Sequence, residues 1–101
     1  MITIHAKKAV DLKTKVTGLI GKEKPYPLVL QTRFGIHTFG LRFPIDVVIL
    51  DQKGVVRKIK KLQPGNIFFW NPLYDIVLEL PDGTVQEKHI VVGKEVTLSF
   101  D

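Results

Sequence analysis

Ile45-Asp46-Val47-Val48-Ile49-Leu50-Asp51-Gln52-Lys53-Gly54-Val55-Val56-Arg57-Lys58-Ile59-Lys60-Lys61-Leu62 decides the fold class. Ile45 to Asp51 is a β-branched apolar run, and Val55 to Leu62 is a second run of strand type. Asp51-Gln52-Lys53-Gly54 between them spells a hairpin turn in which Gly54 can take a positive φ.

Downstream, Pro64-Gly65-Asn66 and Asn71-Pro72 bracket a loop that holds Ile67, Phe68, Phe69 and Trp70. Tyr74 to Leu80 then alternates, with Tyr74, Ile76, Leu78 and Leu80 on one face and Asp75, Val77 and Glu79 on the other. After the Pro81-Asp82-Gly83 turn, Thr84-Val85-Gln86-Glu87 has the form of a capping box and predicts a short helix through about Ile90. The rival reading is a hairpin returning along Thr84 to Val92. Gly93 turns the chain into a last strand, Glu95 to Phe100.

Upstream, Met1 to Ala6 alternates as a first short strand. Leu12, Val16, Leu19 and Ile20 recur at helical spacing over Asp11 to Ile20, where Asp11 can cap the start and Gly21 can end the helix. Pro25 and Pro27 hold the chain extended into Leu28 to Arg33. Some six or seven short strands and one or two short helices predict a mainly β (α+β) domain, a small, partly closed β-sheet or barrel. At 101 residues the chain is expected to form one domain, 1–101.

Composition narrows the function classes. Apolar residues make up 45% of the chain and charged residues 25%, the balance of a chain that can bury a core. No cysteine is present, which removes disulfides, thiolate nucleophiles and thiolate metal sites. No apolar run reaches the roughly 20 residues of a membrane span, and Met1 to Lys8 lacks a secretory apolar stretch, so a cytoplasmic location without membrane contact is expected. The formal net charge of +5 favours an anionic partner, a nucleic acid or an acidic protein.

Two constellations could carry chemistry. The first is His37-Thr38-Phe39-Gly40-Leu41-Arg42-Phe43-Pro44-Ile45-Asp46. Asp46 shares a strand face with Val48 and Leu50, so its carboxylate is expected to be partly buried and to need a partner, with Arg42 the nearest candidate. An architectural role for Asp46 is the commoner outcome for such a residue. The catalytic alternative makes His37 a general base or acid oriented by Asp46, with Thr38 adjacent, but no nucleophile has a supporting motif. His5, His37 and His89 show no ligand spacing, and neither a metal nor a cofactor is expected.

The second constellation is basic. Lys53, Arg57, Lys58, Lys60 and Lys61 fall on and beside one hairpin strand, and the aromatic loop with Phe69 and Trp70 follows. Basic groups beside exposed rings suit single-stranded nucleic acid, the charges tracking phosphates and the rings stacking on bases. The same rings could instead plug the sheet, with Trp70 as a lid on the core. The binding set is therefore Arg42, Arg57, Lys58, Lys60, Lys61, Phe69 and Trp70.

Ile36 to Asp51, with its His-Thr and Arg-Phe-Pro-Ile-Asp block running into an apolar strand, resembles domain-of-unknown-function family 192. Gly18-Leu19-Ile20-Gly21 resembles that family's helix end, Leu78-Glu79-Leu80-Pro81 with Gly83-Thr84 its Leu-Glu-Leu segment, and Val92 to Val96 its closing segment. These blocks stand in the family's order from about Ala9 to Leu98. The chain departs at Leu41, where methionine is usual, and at Lys94-Glu95, where Gly-Asp is typical. The resemblance implies a compact, β-rich domain with a short N-terminal helix, and no catalytic residue comes with it. The leading expectation is a non-enzymatic binding or accessory module. A small hydrolase-like enzyme using His37 and Asp46, and a structural protein-interaction domain, are the alternatives.

Overall fold

The computed structural model describes residues 2–9, 18–33 and 35–100. Among them lie the strands β1 (Ile2–Lys8), β2 (Leu28–Gln31), β3 (Ile36–His37), β4 (Ile45–Leu50), β5 (Val56–Leu62), β6 (Ile67–Phe68), β7 (Ile76–Pro81) and β8 (Val96–Phe100). One short helix, α1 (Thr84–Glu87), sits between β7 and β8. The mainly β expectation is met.

Six strands form one sheet in the order β5-β4-β7-β2-β1-β8, and β3 pairs with β6 as a separate ribbon. The β4–β5 hairpin is antiparallel, with Ile45 opposite Leu62 and Val48 opposite Ile59. Strand β7 lies antiparallel between β4 and β2. Strand β1 runs parallel to both β2 and β8.

The sheet curls into a half-barrel. Val55 and Glu95 form an antiparallel bridge between the starts of β5 and β8. The Val56 amide donates to the Lys94 carbonyl and the Val96 amide to the Gly54 carbonyl, each at 2.8 Å. Gly54 has φ +83°, and a Cβ there would stand 2.7 Å from the Val96 carbonyl oxygen, so only glycine lets the two sheet ends meet. Antiparallel strands that touch at their first residues run apart from that point, so closure is confined to one corner.

Both faces of the sheet are covered. Ile4, Ala6, Val29, Val48, Leu50, Val56, Leu78, Leu80, Ile90 and Val96 fill the inner face. Val47, Ile49, Leu30 and Val77 of the outer face pack beneath Leu19, Phe68 and Trp70. All six residues of β4, Asp46 included, are therefore buried, as its β-branched apolar run suggests. The alternation of β7 gives two apolar faces rather than one wet and one dry, because the ribbon and the Gly18–Gly21 turn lie over the second.

Two helix expectations fare differently. The helix predicted over Asp11 to Ile20 falls outside the described residues up to position 17; Gly18 to Gly21 form a turn in which the Lys22 amide donates to the Leu19 carbonyl at 3.1 Å. The helix fork resolves in favour of α1, but without the capping box. Gly83 is its N-cap, with no side-chain cap from its own segment, and the Thr84 hydroxyl donates instead to the Pro81 carbonyl at 2.7 Å. No described helix is long and apolar enough to cross a membrane.

Candidate functional site

The first constellation is divided by the fold. Asp46 enters β4 with its side chain on the inner face, buried to 3% exposure. Its Oδ2 accepts the Gly83 and Val85 amides, each at 3.0 Å, and its Oδ1 accepts the Lys61 ammonium at 2.9 Å. Asp46 thus caps α1 from another strand, satisfying amides at the helix start that have no acceptor in their own turn. The expected partner, Arg42, is exposed and makes no ion pair among the described residues, because Lys61 stands directly across the β4–β5 ladder from Asp46.

Thr38 is buried and joins two loops. Its hydroxyl donates to the Gln63 carbonyl and accepts the Asn66 amide, both at 2.7 Å. His37 is exposed on β3, its ring 5.2 Å from that of Phe39 and its Nδ1 accepting the Phe39 amide at 3.3 Å. His37 and Asp46 are not hydrogen-bond partners, and the fold assembles no base–orienter pair from them.

The basic strand separates by partner. Lys61 bridges Asp46 and Asp82, which hold its ammonium above the ordinary lysine range, Asp82 the more strongly. Arg57 pairs with Asp51 at 3.1 Å and lies over the Tyr74 ring. The Val55 amide, and after it Lys53 and Arg57, hold the Asp51 carboxyl below its usual range. Lys58 and Lys60 are exposed and make no ion pair among the described residues. They share the outer face with Val47 and Ile49, and the Lys58 ammonium lies 5.3 Å from the centroid of the Phe68 ring.

The aromatic loop alternates. Phe68 and Trp70 point into the outer core with centroids 5.5 Å apart, and Trp70 Nε1 donates to the Tyr74 carbonyl at 2.7 Å. Phe69, between them, is 66% exposed. The lid reading therefore holds for the Trp70 ring, which is not an open stacking surface, and Phe69 is the exposed ring of the loop. Ile67 and Phe39 are also exposed, and Ile67 stands opposite His37 in the ribbon.

Two buried carboxylates escaped the sequence reading. Asp75 accepts the side-chain amides of Gln31 at 2.7 Å and Gln52 at 3.0 Å, with the Arg33 guanidinium 3.4 Å away. Glu79 is buried on the outer face and accepts the Leu19 amide at 3.2 Å. Burial pushes its carboxyl up to about 7, partly offset by that amide. Gly18 makes room for it, since a Cβ there would lie 2.6 Å from Glu79 Oε1. The signal for Glu79 was present in the sequence as a carboxylate between Leu78 and Leu80, but alternation placed it only on the second face of β7, without what covers that face.

A model for a protein family described as "Uncharacterized ACR" matches residues 2–98. No functionally curated protein matches. Two solved structures share the fold. One, a protein of unknown function from Novosphingobium aromaticivorans DSM 12444, is 14% identical with a TM-score of 0.76, over 89% of this chain and 71% of that one. The other, a "putative transcription regulator" from Sinorhizobium meliloti 1021, is 19% identical with a TM-score of 0.72, over 89% of this chain and 78% of that one.

Proposed function

The chain belongs to domain-of-unknown-function family 192, and on that premise we propose that it is a non-enzymatic binding module for an anionic polymer, single-stranded nucleic acid being the class its surface suits best. One observation carries the reading: Lys58 and Lys60, without a carboxylate partner among the described residues, share the outer face of β5, and the Lys58 ammonium lies 5.3 Å from the ring of Phe68, the residue before exposed Phe69. Unpaired ammonium groups suit phosphates, and an exposed ring such as that of Phe69 suits a base. Arg57 adds charge at the same strand although Asp51 shares it, and exposed Arg42 adds to the positive surface. Lys61 and Trp70 leave the binding set, the first held by Asp46 and Asp82 and the second packed in the core.

Fluorescence anisotropy of a labelled single-stranded RNA, titrated at two salt concentrations, tests the reading. Micromolar binding is expected, with a log–log salt slope of about −1.4 to −2 if two or three phosphates are engaged. Lys58→Glu lowers affinity and flattens the slope, and Phe69→Ala lowers affinity with the slope kept. Flat traces at low salt, or binding indifferent to both substitutions, refute it. Exposed Ile67 and Phe39 beside Phe69 favour a second reading, a protein partner that covers the ribbon. Salt-insensitive association lost in Ile67→Ser would select that one.

A further inference from the structure

Among the described residues, the half-barrel is open at one end. Where β2 and β8 finish and β7 starts, a cleft of about 610 Å³ enters the inner face. That volume is the size of a small-molecule site, and the mouth of a barrel is a usual place for one. Val29 and Ile76 line the cleft together with Leu98 and Phe100 of β8, and Phe100 is 49% exposed. Apolar wall left open to water favours an apolar occupant that covers it.

The polar groups at the mouth are pre-set. Gln31 and Gln52 both line the cleft, and each donates a side-chain N–H to the buried carboxylate of Asp75. Their amide orientations are thereby fixed, and each carboxamide oxygen is left to accept a bond from elsewhere. Alternation along β1 continues from Ile4 and Ala6 on the inner face to Lys8, which lines the same cleft and makes no ion pair among the described residues. One ammonium, two oriented acceptors and apolar walls describe a ligand with matching parts.

We propose that this mouth binds a small organic anion with a flat apolar body and an N–H or O–H donor. Its acid group meets Lys8, its donor meets the carboxamide oxygens of Gln31 and Gln52, and its body lies on Leu98 and Phe100. The site is separate from Lys58, Lys60 and Phe69, so either reading can fail without the other.

The probe 8-anilinonaphthalene-1-sulfonate carries an acid, an N–H and an apolar ring system. N-phenyl-1-naphthylamine is the same framework without the acid. Fluorescence titration of the full chain should give saturable one-site enhancement with the sulfonate. Lys8→Glu should weaken the sulfonate about tenfold and leave the neutral probe within twofold. Leu98→Trp, which fills the cleft, should abolish both. If Leu98→Trp fails the circular-dichroism check for folding, Phe100→Glu decides, because it places a carboxylate at the mouth on an already half-exposed side chain. Enhancement that survives a folded cleft variant but is lost in Phe69→Ser would put the probe on the ribbon and overturn the proposal. Absence of saturable enhancement in the parent chain would also overturn it.

Discussion

Replacing Glu79 by glutamine should change how the protein responds to pH. The folded carboxyl is raised from an ordinary 4.5 to about 7. Between those values the folded chain holds a proton that the unfolded chain has released. Stability is then greatest below about 4.5, falls as the pH rises through the window, and levels off above about 7. Each unit is worth about 1.36 kcal/mol, so this one group removes on the order of 3 kcal/mol by pH 8. The glutamine side chain would keep a carbonyl oxygen for the Leu19 amide and carry no charge to bury. Glu79→Gln is therefore expected to equal the parent chain near pH 4 and to exceed it by about 2–3 kcal/mol at pH 8. Guanidinium denaturation, followed by the fluorescence of the single tryptophan, Trp70, measures this at each pH. Taking the difference between the two proteins cancels the titration of the other carboxylates. A difference that stays constant between pH 4 and pH 8 would show that Glu79 ionises as it does in water, and the burial argument would fall.

Two further outcomes follow from the contacts. Asp46→Ala should lose about 2–4 kcal/mol, since it strands two amides at the start of α1, whereas Lys61→Met should lose under about 1 kcal/mol because that ammonium is half in solvent. Urea melts of the pair decide it, and equal losses would mean that the ion pair, not the cap, is what Asp46 supplies. Trp70→Ala should lose about 3–5 kcal/mol and Phe69→Ser less than about 0.5 kcal/mol, which thermal melts of adjacent positions can separate.

The strands of the large sheet were legible because each carries its own pattern. The runs over Ile45 to Asp51 and Val55 to Leu62 end within a residue of β4 and β5. Glu95 to Phe100 likewise differs from β8 by one residue. The ribbon was not legible, because β3 and β6 have two residues each and no period can be read from two. Long-range partners were equally out of reach. Asp46 was recognisable as a buried acid, but its true acceptor role depends on Lys61 across a ladder and on Gly83 and Val85, which sequence spacing cannot supply. The burial of Glu79 was out of reach for a related reason: alternation reports two faces and says nothing about what lies over the second. The separation of Phe69 from its neighbours Phe68 and Trp70 needed the ribbon's orientation.

The parallel pairing of β1 with β8 has a consequence for how the chain is made. Ile2 registers with Val96 and Ala6 with Phe100, so the first strand waits for almost the whole sequence before one of its two neighbours exists. At a synthesis rate of roughly 5–20 residues per second, that wait is on the order of 5–20 s. During it, Ile2 and Ile4 present an unpaired edge that any passing extended segment could join. If that edge is exposed during synthesis, the yield in a cell-free translation system should rise when a ribosome-bound chaperone is supplied, and an unchanged yield would show that the edge is not a liability.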